Sequence, residues 1–108
     1  MKPTYTDIVK IEFKDLINRL AGGGSVMHAY FLDRVCLSAT TVGYSYGYFS
    51  PKGDDAVGKY LDLGSYGRLN FVINAKTQEA KVISHNYRQI LIKFLKDFKV
   101  TSAFPNLS

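Results

Sequence analysis

Residues 34–49 read RVCLSATTVGYSYGYF, and the element assigned to this stretch decides the fold. Its second half alternates. Tyr44, Tyr46 and Tyr48 fall at every second position, with Gly43, Ser45 and Gly47 between them. Side chains of a strand point to opposite faces in turn, so a period of two puts the three rings on one side. Tyr is also a good strand former. The stretch therefore reads as one long strand, bent or bulged at Gly43 or Gly47. A first strand is expected at 25–32, SVMHAYFL, with Asp33-Arg34 as the turn between the two.

Downstream, SPKGDD (50–55) is a turn cluster rich in Pro, Gly and Asp. KYLDL (59–63) reads as a short strand, GSYG (64–67) as the next turn, and RLNFVIN (68–74) with AKVIS (80–84) as a hairpin. Helices are expected at both ends. In 6–21, Val9, Phe13, Leu16, Ile17 and Leu20 form an apolar stripe, with Thr6 or Asp7 as the cap and Gly22-Gly23-Gly24 as the stop. In 86–99, Tyr87, Ile90, Leu91, Phe94, Leu95 and Phe98 form another, with Asn86 as N-cap and Gln89 completing a capping box. The tail, 100–108, reads as irregular, and Pro105 blocks a simple continuation.

Sequential strands joined by short turns give an antiparallel meander. The fold class is thus α+β: one domain spanning 1–108, a meander of four or five strands, and N- and C-terminal helices packed on one face. A chain of 108 residues suffices for one core. No apolar run approaches the roughly 20 residues of a membrane span. The charged N-terminal stretch carries no export signal, and the single Cys36 fits a reducing compartment, so a cytoplasmic location is expected. The α-β-β-β-α order is shared with double-stranded-RNA-binding domains, but the lysine-rich opening of their last helix is replaced here by SHNYRQ, and no family is assigned.

Net charge is +5, and residues 51–108 carry nine Lys/Arg against five Asp/Glu. Such an excess favours polyanions or an acidic protein surface. A face of Gly and Ser would let a helix approach, leaving the three tyrosines pointing away from the helices. Exposed rings on a sheet stack nucleic-acid bases, at roughly 1–3 kcal/mol each. The leading expectation is therefore a small binding protein for nucleic acid. Tyr44, Tyr46 and Tyr48 would be its platform, and Arg68, Lys81, Arg88, Lys93, Lys96 and Lys99 its phosphate contacts. One tension stands against it: lysines of the last helix would lie behind the sheet, remote from the rings. The alternative is a protein-binding inhibitor, immunity or phage counter-defence protein with the same rings as its hot spot, and a homodimer through the sheet face is a further expectation. The third alternative is a metal-independent ribonuclease using His28 and His85. No metal or cofactor is expected: two His and one Cys show no ligand spacing, and AGGGS follows a helix instead of opening one. Cys36, between Val35 and Leu37, reads as a small packed residue.

Overall fold

The computed structural model describes residues 8, 11–16, 19, 26–53 and 55–97, with the side chain of Leu95 excluded. Val9, Ile17, Leu20, the glycine stop at 22–24, Phe98, Lys99 and the tail lie outside these. A helical segment over 11–16 (α1) comes first. The elements β1 (Val26–His28), α2 (Ala29–Thr41), β2 (Ser45–Phe49), β3 (Ala56–Asp62), a short 3-10 turn at Gly64–Tyr66, β4 (Arg68–Asn74), β5 (Glu79–Val82) and α3 (Tyr87–Asp97) follow.

The expected long strand is not there. Residues 29–41 are helix, and the strand begins only at Ser45. Asp33 and Arg34, read as a turn, lie inside α2. The helix wins because Ala29, Leu32, Val35, Cys36 and Ala39 recur every three or four residues and are all buried. Ala29, Cys36 and Ala39 are small, which suits a helix laid close on a sheet. Two β-branched residues near its end are accommodated by hydrogen bonding: the hydroxyls of Thr40 and Thr41 donate to the carbonyls of Cys36 and Leu37 at 2.8 and 2.9 Å. Gly43 then ends it. Its φ of 103° is open to glycine at little cost. The Gly43 N–H donates to the Thr40 carbonyl and the Tyr44 N–H to the Ala39 carbonyl, a Schellman closure.

The sheet order is β1-β5-β4-β3-β2, antiparallel at every pairing. Thus β2 to β5 form the expected meander, β1 closes its far edge, and α2 crosses between the two outer strands. The buried hydrophobic strand residues share one parity: Met27, Leu61, Leu69, Phe71, Ile73 and Ala80. They form a single core with Phe13 and Leu16 of α1, the inner side of α2, and Ile90, Leu91 and Phe94 of α3. The three helices among the described residues therefore cover the same face, and none of the described elements covers the other. This is an α+β fold with its terminal helices on one side, and with a third helix between the first two strands.

Candidate functional site

Register decides where the tyrosines point. Tyr46 lies opposite Leu61 and Tyr48 opposite Lys59. Leu61 in turn faces Leu69, and Lys59 faces Phe71, both core residues. The rings are therefore on the helix side, and Ser45, Gly47 and Phe49 are on the open side, the reverse of the sequence expectation. The glycines serve rings, not a helix. A Cβ on Gly47 would stand 2.5 Å from the Tyr60 hydroxyl, and one on Gly58 would stand 2.7 Å from the Phe49 ring. Each glycine lets the aromatic residue across the strand pair lie flat over the neighbouring backbone.

The row of three also divides. Tyr44 precedes β2 and is fixed by the Schellman closure. Its ring packs edge-on against Phe94 at 5.8 Å and Tyr66 at 6.4 Å. The Tyr66 hydroxyl donates to the Asp97 carboxylate at 2.7 Å, which raises the Tyr66 pKa to about 12, burial adding to the rise. Tyr44 is raised as well, by burial first and by Asp97 second. Tyr46 and Tyr48, by contrast, remain 41% and 66% exposed, on the edge strand of the sheet.

Beneath those two rings lies Lys59, only 3% exposed. Its ammonium donates to the Asp33 carboxylate of α2 and stands 4.9 Å from the Tyr46 centroid and 5.3 Å from that of Tyr48. Burial alone would lower its pKa, but the Asp33 hydrogen bond and the neighbouring Cys36, Asp33 and Tyr48 outweigh that, and the net shift is upward. Lys59 stays charged, its charge matched by Asp33 and its apolar stem packed in the core. Cys36, one turn beyond Asp33, is pushed up to about 11, by burial first, with Lys59 pulling the other way. A thiol so raised is a packing group, not a nucleophile, near neutral pH. Leu37 (65% exposed), one turn on from Asp33, and Val57, of the same parity as Lys59, add apolar surface.

The expected phosphate contacts do not gather at these rings. Among the described residues, Lys59 is the only cation over Tyr46 or Tyr48. Arg68 and Lys81 are on the open face, where Arg68 pairs with Asp62 at 3.6 Å and stacks on Tyr60 at 4.1 Å. Arg88, Lys93 and Lys96 are exposed on α3, Arg88 5.7 Å from its neighbour's Tyr87 ring. Lys99 is outside the described residues. The histidines are apart too. His28 pairs with Glu79 at the start of β5, and His85 lies beyond the other end of that strand, past Val82, so the length of β5, about 10 Å at 3.3 Å per residue, lies between them. His28 instead borders an open cleft of about 710 Å³ between α1 and α2. Four of the charges lining it are paired, Arg34 with Glu12 at 3.2 Å and Arg19 with Asp15 at 3.5 Å.

No group of three His, Cys, Asp or Glu among the described residues is placed to hold a metal ion, and no helix there is long and apolar enough to cross a membrane. Sequence reading passed over Lys59, Asp33 and Leu37. One signal for Lys59 was available: it occupies the apolar parity of its strand, between Val57 and Leu61. Compared with known proteins, the chain matches no family model, no curated protein and no solved structure.

Proposed function

We propose that this chain is a protein-binding module whose contact surface is the β2 edge, with Tyr46 and Tyr48 as anchors and Val57 on the same face of the neighbouring strand. The observation that carries this reading is the pairing beneath the rings. Among the described residues, two tyrosines stand exposed on an unpaired strand edge, and the one cation touching them is held by Asp33. Such a patch is aromatic, apolar and electrically closed, the composition of an interface centre. A base-stacking site needs cations free to take phosphates beside its rings. The Tyr44, Tyr46 and Tyr48 platform has less support, because Tyr44 is packed against Phe94 and Tyr66.

A nucleic-acid reading keeps one specific observation, on the opposite face. Phe49 and Tyr60 are adjacent there, with Arg68 stacked and Lys81 on the same side. Arg68 is already shared between Asp62 and the ring, so this reading stands second. The histidine nuclease has the least support, given the separation of His28 and His85.

The experiment compares wild-type chain with Tyr46→Ala and Tyr48→Ala as baits in quantitative capture. A partner retained by the first and lost with both variants, while their folds remain intact by circular dichroism, supports the reading. Recovery that ignores both substitutions overturns it. Tight oligonucleotide binding that falls steeply with salt and depends on Tyr60 would move the function to the open face.

A further inference from the structure

Resting on that reading, we infer that the partner of the β2 edge is a second copy of this chain, joined strand to strand. Edge strands that must stay single usually carry a lysine, a proline, a bulge or an inward charge. Residues 45–49, SYGYF, carry none of these, and every residue is paired to β3 without a bulge. Among the described residues the edge is free on its outer side, since β2 has β3 as its one neighbour in the sheet.

Its sequence is complementary to itself. Antiparallel pairing about Gly47 sets Tyr46 opposite Tyr48 of the other copy, and Ser45 opposite Phe49. On the helix side four tyrosine rings then form a continuous row, and aromatic cross-strand pairs of this kind stabilise sheets. On the open side the small Ser45 leaves room for the large Phe49. Gly47 meets Gly47 at the two-fold axis, where the Tyr60 hydroxyl already lies over the backbone. The two five-stranded sheets become one of ten, with the helices of both copies on the same side.

Charge points to the same occupant. Two chains of net charge +5 repel, so a self-contact must use a surface without free cations. The β2 edge is such a surface: its residues are uncharged, and Lys59 behind it is matched by Asp33. Raising the salt concentration screens the remaining repulsion, so self-association strengthens with salt, opposite to phosphate binding.

Sedimentation equilibrium on the purified chain tests this at low and high salt. The expected result is a rise in mass from 12.1 kDa to twice that value with concentration, with the tighter constant in high salt. Ser45→Lys introduces an edge lysine opposite Asp62, where the fold tolerates it, and Tyr48→Ser removes an exposed ring. Each should weaken the dimer at least tenfold, whereas Lys93→Ala should not. In a mixed isotope-labelled sample, nuclear Overhauser contacts between the Tyr46 ring of one copy and the Tyr48 ring of the other report the register. A mass of 12.1 kDa at every concentration overturns the inference, as does a dimer indifferent to both edge substitutions. A monomer that still captures a different protein in a Tyr46- and Tyr48-dependent way removes self-pairing but leaves the interface reading standing. A monomer without such capture removes both.

Discussion

Two tyrosine clusters grow from one run of alternating sequence, and they end in opposite conditions. Tyr44 joins Tyr66 and Phe94 in a closed cluster, ring against ring, under α3. Two and four residues later, Tyr46 and Tyr48 stand in an open cluster over Lys59. Residue type and spacing are the same, so neither explains the difference. What differs is what lies opposite. Tyr44 sits where the end of α2, the 3-10 turn and α3 converge, and the other two sit on the edge strand, over a cation held by α2. A period of two assigns a common side to alternating residues and says nothing about what covers it.

The largest expected effect separates the clusters by stability. Phe94 is fully buried at the centre of the closed one, also stacking on Phe13 at 4.5 Å. Phe94→Ala should cost about 3–5 kcal/mol in chemical denaturation, as core Phe truncations do. Tyr48→Ala in the open cluster should cost under about 1 kcal/mol while losing partner binding. Equal losses would mean that the open cluster is core. Next is the ion pair under the open rings. Asp33→Ala leaves the Lys59 ammonium without its carboxylate at a nearly inaccessible position. Removing one partner of a fully buried pair costs about 3–5 kcal/mol, and the water around Asp33 reduces this to about 2 kcal/mol. Lys59→Met, which keeps the stem and drops the charge, should be within about 1 kcal/mol of wild type. If Lys59→Met were the worse of the two, the ammonium would be making interactions beyond Asp33 and the rings.

A smaller effect tests why the run divides at all. Gly43→Ala forces a Cβ into a φ of 103° at the end of α2. It should cost about 1 kcal/mol and loosen Tyr44, while Tyr46 and Tyr48 keep their register with β3. Loss of Tyr46 or Tyr48 contacts in the same variant would show that the clusters are coupled.

The same boundary marks what could be read in the chain. Strand β4 has the bounds expected of it, 68–74, and α3 begins directly after the expected cap Asn86, because each has a single strong period and clear turn residues. Residues 29–43 carried two conflicting signals. Val35, Thr40, Thr41 and Val42 favour strand locally, while Ala29, Leu32, Val35 and Ala39 follow a helical spacing with small residues that weigh little on a hydropathy scale. Packing against the sheet settled that conflict, and packing is a tertiary fact. Gly43 was a legible stop for α2, disguised as one member of the glycine–tyrosine alternation. The side taken by Tyr46 and Tyr48 depended on register with β3, and the importance of Lys59 depended on Asp33, 26 positions away. Neither is visible from spacing within one strand.

The smallest effect is a titration confined to the closed cluster. Tyr66 has its pKa raised from 10.0 to about 12, with the Asp97 hydrogen bond first among the causes. A group that holds its proton more tightly when folded adds stability below its unfolded pKa and loses it as pH rises through the folded value. The contribution from Tyr66 is therefore complete below pH 10 and disappears between 10 and about 12. An alkaline titration followed by tyrosinate absorbance should show the two rings of the closed cluster, Tyr44 and Tyr66, titrating late, and Tyr66→Phe should remove the last step, at about 12. Asp97→Asn should bring it earlier by taking away the carboxylate that the phenol donates to. Were the last step to survive Tyr66→Phe, it would belong to Tyr44, and the closed cluster would owe its late titration to burial more than to the Asp97 hydrogen bond.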